Sequence, residues 1–488
     1  MTKFLKLQED EIIFGSSDSA ESQAIHQAVK RGKLRKLAPR IYSSNLTDAK
    51  EQIIRRNQYR ILGKLFEGAI LSHRTALEGG PTPEGLIVLT YHYTKKITLP
   101  GLTIRLLAGA PPQVGDTPFM EKLFIASRER ALLENLQPSR GPFTKSLPRK
   151  TIEAQLDKIC RIQGVEALQQ LRDKARQLAP HLKLDNEFKM LDQMIGALLN
   201  TRSEYRLTSE TAIARAAGKP FDAPRLELFA TLATRLISSV LPSLPSTTHD
   251  EKAAHHLAFF EAYFSNYIEG TEFEVEEAAD IIFHHKKILH RPEDAHDIVG
   301  TYQMVSDKSE MQKTPNSPDE LITLLKRRHH FLMSVRQDKH PGEFKTLANR
   351  AGNTVFTPPE LVRGTLEKAF SLYRSLEPGI KRAIFMMFLV AEVHPFNDGN
   401  GRIARIMMNA ELSACHLCRI IIPTVYREDY LLALRRLSRS CDPEAYLTML
   451  LRGQTFTASI DFFDYQQALE KLRKANAFMQ PFEGKLIT

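Results

Sequence analysis

Apolar residues recur at three- and four-residue intervals along most of the chain, and that spacing predicts a mainly α protein. Between residues 151 and about 240 the recurrence runs through Leu156, Ile159, Ile162, Val165, Leu168 and Leu171, with a break at Gly218-Lys-Pro220. From residue 251 onward the pattern stays helical, apart from a short strand-like interruption at 348–356. The most apolar run, 384–393, predicts a central buried helix. The first third reads differently. Residues 19–31 predict an amphipathic helix, with Ala20, Ala24 and Ala28 on one side and Gln23, Gln27, Lys30 and Arg31 on another, and Gly32 is placed to end it in a left-handed cap. A ribbon follows in which Leu34, Leu37, Ile41 and Tyr42 are interleaved with Arg35, Lys36 and Arg40, with Pro39 at the turn. Loop-like segments rich in Pro and Ser at 137–149 and 241–250 suggest three parts, 1–140, 141–250 and 251–488; the Pro-containing stretch 311–319 reads as a loop between helices.

Composition narrows the class. The chain has 488 residues, 42% apolar and 25% charged, which is ordinary for folded globular protein and excludes a fibre or a disordered chain. No apolar run is long enough to span a bilayer, and acids stand where a signal peptide needs its apolar core, so the expectation is a cytoplasmic protein with no membrane partner. Four cysteines, Cys160, Cys415, Cys418 and Cys441, are too few for a disulfide framework. The net charge of +10 is not spread evenly. Residues 1–150 hold 24 Lys and Arg against 14 Asp and Glu, so the whole excess sits there. A basic segment on a neutral body reads as a nucleic-acid-binding module joined to something with another task.

A helix presenting amides and bases, followed by a basic two-stranded wing, is what major-groove docking with flanking phosphate contacts requires. Arg31, Lys33, Arg35 and Lys36 are the DNA-binding candidates. The stretch Gly32-Lys-Leu-Arg-Lys-Leu-Ala-Pro-Arg-Ile-Tyr42, with Ala69-Ile-Leu-Ser-His-Arg-Thr-Ala-Leu77, Leu89-Thr-Tyr-His-Tyr93 and Ser127-Arg-Glu-Arg-Ala-Leu-Leu133, resembles the winged-helix antitoxin-type regulators of abortive-infection type IV systems. That resemblance implies a DNA-binding winged helix with an adjoining small α/β module. Arg40-Ile-Tyr42 lacks the glycine usual at the family's wing tip.

The segment that carries chemistry is His394-Pro-Phe-Asn-Asp-Gly-Asn-Gly-Arg-Ile-Ala-Arg405. It reads as a helix end, a loop and a new helix start. Pro395 forces His394 out of helical geometry and presents it at a rim, while Phe396 plugs the loop into the core. Asp398-Gly-Asn-Gly401 supplies a turn whose backbone N–H groups can converge on an anion at a helix N-terminus. Arg402 and Arg405 lie three apart and can reach successive phosphates, and a carboxylate beside such a cradle is a natural Mg²⁺ ligand. An imidazole at that edge can take a proton from an attacking hydroxyl. Each residue alone has an ordinary reading as a cap, turn former or solvated cation; their coincidence in one short stretch points to phosphoryl or nucleotidyl transfer.

This segment is similar, without a gap, to the Fic family signature His-x-Phe-x-Asp/Glu-Gly-Asn-Gly-Arg-x-x-Arg. The resemblance implies an all-α domain with a short β-hairpin flap that binds ATP with Mg²⁺ and moves AMP onto Ser, Thr or Tyr hydroxyls of a protein, this chain itself included. It implies His394 as general base, Phe396 as core anchor and Asp398 as metal ligand. Gly399, Asn400 and Gly401 would form the phosphate nest, and Arg402 and Arg405 would hold the polyphosphate. Glycine at 401 favours AMP transfer over the phosphorylation of the Doc branch, where lysine is typical. Gly342-Glu-Phe-Lys345, 349–356 and Thr357-Pro-Pro359 resemble the family's flap, which clamps a target segment by strand addition. Tyr426, Tyr430 and Leu431 fall where the family closes over the adenine. Ser265-Asn-Tyr-Ile-Glu-Gly270 resembles the family's inhibitory motif, implying that Glu269, on one helical face with Ser265, salt-bridges Arg405 and obstructs the γ-phosphate.

Other clusters read as structural. Cys415-His-Leu-Cys418 is half a zinc pattern with no second pair at workable spacing, and His284, His285, His290, His329 and His330 read as surface or boundary histidines. The expected function is an autoinhibited protein adenylyltransferase with a DNA-binding regulatory domain. The alternatives are an antitoxin-like DNA-binding regulator whose Fic part senses nucleotide, and a Fic enzyme that transfers another nucleotide or phosphocholine. A homo-oligomer is compatible with each.

Overall fold

The computed structural model describes residues 10–139, 144–202, 205–248, 250–286, 288 and 290–487. The N-terminal residues 1–9, residues 140–143 of the first expected boundary and His249 of the second lie outside the described residues. The chain forms two compact units, Met1–Ala217 and Gly218–Thr488. The segment expected as a connector is therefore divided, with three helices (Arg149–Leu182, Asp185–Leu198, Glu210–Ala216) in the first unit and Ala223–Ser238 in the second.

The first unit begins with a three-stranded antiparallel sheet of β1 (Ile12–Phe14), β2 (Arg35–Ala38) and β3 (Ile41–Ser43), in the order β1-β3-β2. Helix Ser19–Lys30 joins β1 to β2. Asp18 caps it by accepting the Glu21 N–H at 2.9 Å, and Gly32 (φ 67°) follows its end. Its buried positions are Ile25 and Ala28, packed with Ile13 and Leu34; of the alanine row only Ala28 is buried, and Ala20 is exposed. A larger alkyl side chain buries more apolar area and sets the face. A six-stranded mixed sheet follows, built from β4 (Ile70–Leu71), β5 (Leu86–Tyr91), β6 (Lys95–Leu99), β7 (Leu102–Ala108), β8 (Thr117–Phe119) and β9 (Leu123–Ile125), in the order β6-β7-β5-β4-β9-β8. In the long helix Arg149–Leu182, Gly164 adopts φ 87° and ψ 173°. Ile162 and Val165 flank that break. Leu156, Ile159, Leu168 and Leu171 stay buried while Ile162 and Val165 are 62% and 46% exposed, against the face read from spacing.

The second unit is helical. Helices Ile380–Val393 and Asn400–Ala414 pass through its core, where Ile384, Phe385, Phe388, Leu389, Val393, Phe396 and Ile403 are buried. Phe229 of Ala223–Ser238 meets Phe385 and Phe388 at ring separations of 6.2 and 5.9 Å. A second apolar cluster sets Phe259, Phe260 and Phe264 of helix Glu251–Ile268 against Phe462 and Leu469. The strand-like interruption is an antiparallel hairpin, β10 (Arg350–Ala351) and β11 (Thr354–Val355), turned by Gly352-Asn353 with Gly352 at φ 56°. Among the described residues no helix is long and apolar enough to cross a membrane.

Candidate active site

The 394–405 segment joins the two central helices. His394 ends the first in left-handed geometry (φ 52°, ψ 61°), and Gly399 (φ 73°) starts the second. The loop between them is pinned from within: the Asn400 side chain accepts the Phe396 N–H and donates to the Phe396 carbonyl, both at 2.9 Å. Asn400 is thus a loop clamp, and only its backbone faces the helix N-terminus expected to cradle phosphate. Asp398 accepts the Gly399 N–H at 2.7 Å.

The His394 imidazole is half-buried. Its Nδ1 lies 3.2 Å from the Ala391 carbonyl, which can only accept, so Nδ1 carries the proton and the Nε2 lone pair is left free. Its ring stacks on Phe356 at 3.8 Å and 5°. Burial, with the Lys345 charge acting in the same direction, holds the imidazole down to about 4, so it is neutral near pH 7. Glu269 and Asp398 lie near enough to pull electrostatically on the same ring.

The two arginines differ. Arg402 is buried and ion-paired to Asp297 at 2.9 Å, and Asp297 also takes Arg336 at 2.8 Å. A buried guanidinium requires a counter-charge, and Asp297 supplies it. Arg405 donates to the Ser265 hydroxyl at 2.9 Å, the Ser265 carbonyl at 2.8 Å and Glu269 Oε1 at 2.7 Å. Gly270 (φ 92°) ends helix Glu251–Ile268 so that Glu269 stands on its last turn facing the motif helix. A Cβ at Gly401 would fall 2.1 Å from Glu269 Oε1. The glutamate therefore lies directly over the N-terminal turn where an anion is favoured. Tyr430 is buried with its hydroxyl 3.5 Å from Arg405, and Leu431 is half-buried against the main core.

Three features were not read from the sequence as part of this site. His329, a surface or boundary residue by its sequence context, is instead fully buried and stacks on Phe396 at 3.8 Å. It accepts the Gly342 N–H on Nδ1 and donates from Nε2 to the Asp398 carbonyl at 3.1 Å, so it orients the loop. Asp297 and Lys345 are likewise buried positioning groups. None sits in a short motif of its own, although Lys345 falls inside the Gly342–Lys345 string. No cluster of three or more His, Cys, Asp or Glu side chains able to hold a metal occurs among the described residues. Asp398 as a lone carboxylate beside a phosphate nest still fits Mg²⁺, which takes one or two carboxylates and completes its shell with phosphate oxygens and water. Arg31, Lys33 and Lys36 of the first unit are exposed, whereas Arg35 is half-buried and donates to the Leu46 and Asp48 carbonyls.

A helical body that sets a loop histidine against a glycine-rich helix start defines the class of site. Residues 321–412 match the model of the Fic/DOC family. A Fido domain-containing protein of Dictyostelium discoideum is 29% identical over 94 residues, covering 18% of this chain and 66% of that protein. C. elegans Fic-1 is 16% identical, with 67% of this chain and 90% of that one covered at a TM-score of 0.36. A Fic domain-containing signalling protein of Bacteroides thetaiotaomicron is also 16% identical, covering 52% of this chain and 97% of its own at a TM-score of 0.36.

Proposed function

We propose that the protein is an adenylyltransferase that moves AMP from ATP onto a Ser, Thr or Tyr hydroxyl of a protein, and that Glu269 holds it in check. The observation that carries this reading is the free Nε2 of His394 beside the Gly399–Gly401 helix start, with Arg405 behind it. His394 Nε2 takes the proton of the target hydroxyl as its oxygen attacks the α-phosphorus, and the bond to the β-phosphate breaks to release diphosphate. A bound polyphosphate raises the imidazole from its low resting value toward the working pH. Backbone N–H groups at 400 and 401 and the Arg405 fork stabilise the departing charge. Asp398 would hold Mg²⁺, which when bound neutralises part of that charge. Glu269 competes with the phosphates for Arg405 and for the Gly401 backbone, since one fork cannot serve both partners.

Labelling with ATP carrying the label on its α-phosphate tests the reading. His394→Ala is expected to abolish label transfer without altering the fold; transfer that persists at the Glu269→Gly level removes His394 as the base. Competition by UTP, CTP or CDP-choline separates AMP transfer from transfer of another group. A second reading concerns the first unit alone. Helix Ser19–Lys30 and the β2–β3 wing are proposed to bind DNA, supported by exposed Arg31, Lys33 and Lys36 at the helix end and first wing strand.

A further inference from the structure

We propose that Lys345 and Asn349 form a strut that fastens the root of the β10–β11 hairpin to the 393–396 loop and, through Phe356, fixes the His394 imidazole for proton transfer. This rests on His394 acting as the base.

Lys345 is 3% exposed, and among the described residues it forms no ion pair with a carboxylate. Burying an unpaired ammonium is costly, and an apolar side chain of similar length would fill the same space without that cost. What the amine supplies instead is a set of directed bonds. Its Nζ donates to Asn349 Oδ1 at 2.6 Å and reaches the Val393 carbonyl at 3.4 Å, while its backbone N–H donates to the Pro395 carbonyl at 2.9 Å. Asn349 donates to the Phe396 carbonyl at 2.9 Å and accepts the Phe356 N–H on its own carbonyl at 3.2 Å. Phe356 then lies flat on His394, with Lys345 Nζ 5.9 Å from the centre of its ring. Lys345 thus holds both neighbours of His394, Val393 by its amine and Pro395 by its backbone N–H, and reaches the stacked Phe356 through Asn349. The far side of the hairpin is held separately, by Arg225 on the Val355 carbonyl and Arg439 on the Thr354 hydroxyl at 3.0 Å.

Lys345 also acts as a charge. Burial, reinforced by Arg225, lowers its amine to about 7, and its positive form opposes protonation of His394. The other charges bearing on His394 are Glu269 and Asp398, which act in the opposite sense. Loss of the Lys345 charge therefore shifts the imidazole upward.

The test uses the full chain with Glu269→Gly, adding Lys345→Met or Lys345→Arg. Auto-AMP transfer gives kcat and the KM for ATP, and NMR of labelled histidine gives the His394 titration. Lys345→Met is expected to lower kcat about tenfold or more, to leave the KM for ATP within about twofold and to raise the His394 midpoint. Lys345→Arg is expected to recover most of kcat. An unchanged kcat, a loss that arginine does not rescue, or an unmoved His394 midpoint overturns the proposal. If Lys345→Met fails to fold, Phe356→Leu decides, with the same kcat loss at constant KM expected and unchanged kcat overturning it. Absence of AMP transfer in Glu269→Gly itself would refute the adenylyltransferase reading, while the His394 titration would still decide the strut.

Discussion

Glu269→Gly is the perturbation whose size the structure sets most closely. The substitution removes a charge-assisted hydrogen bond of 2.7 Å between Arg405, which is buried, and a carboxylate whose side chain is 31% exposed. Such bonds contribute roughly 1.5–3 kcal/mol, and the partial exposure of Glu269 places this one near the lower end. About 1.5 kcal/mol corresponds to roughly tenfold in affinity for a ligand that must displace it. On the proposed function that ligand is the polyphosphate of ATP, since the contacts Glu269 gives up are Arg405 and the space over Gly401. Calorimetric titration with a non-transferable ATP analogue and with AMP, both with Mg²⁺, checks this. Glu269→Gly is expected to bind the ATP analogue about tenfold tighter than the parent chain while AMP changes by less than about twofold. Equal gains for both ligands, or none for either, would refute the idea that Glu269 stands in for the outer phosphates.

Two further outcomes follow from other parts of the chain. Glu411 is buried, accepts the Tyr373 hydroxyl at 2.7 Å and is raised by burial to about 7 from 4.5. The native carboxyl holds its proton where the unfolded chain releases it, so stability is complete below about pH 4.5 and falls as pH rises through 7, by at most about 3 kcal/mol. Glu411→Gln keeps an acceptor for Tyr373 and is expected to flatten the decline in urea midpoints between about pH 4.5 and 7; a parallel decline in both proteins across that window would contradict this. In the first unit, Lys33→Glu with Lys36→Glu is expected to weaken DNA binding and reduce its salt slope by about two, read by mobility shift across salt concentrations. An unchanged slope removes these residues from the interface.

The reach of sequence reading differs between the parts of the site for physical reasons. Local chain chemistry was legible. Pro395 biases His394 away from helical geometry and Gly399 permits the left-handed turn before the next helix, so the loop of 394–401 follows from neighbours in sequence. The Ser265 and Glu269 spacing likewise places both on one face, and both meet Arg405. What escaped depends on contacts distant in sequence. His329 and Asp297 lie 69 and 105 residues from their partners Asp398 and Arg402, and no periodicity separates a stacked, buried histidine from a solvated one. Asn400 could present its side chain or its backbone to a ligand; only the closed pair of bonds to Phe396 assigns the side chain to the loop. Ile162 and Val165 fit an unbroken helix, and the departure of Gly164 from helical geometry is a tertiary choice that spacing does not encode.

The most direct measurement is intact-mass analysis of the Glu269→Gly chain after incubation with Mg-ATP. Addition of one adenylyl group per modified hydroxyl, absent when His394→Ala is combined with it, is the expected result. Unmodified protein in a sample that demonstrably binds ATP would contradict AMP transfer, and an adduct that survives His394→Ala would contradict the histidine as its base.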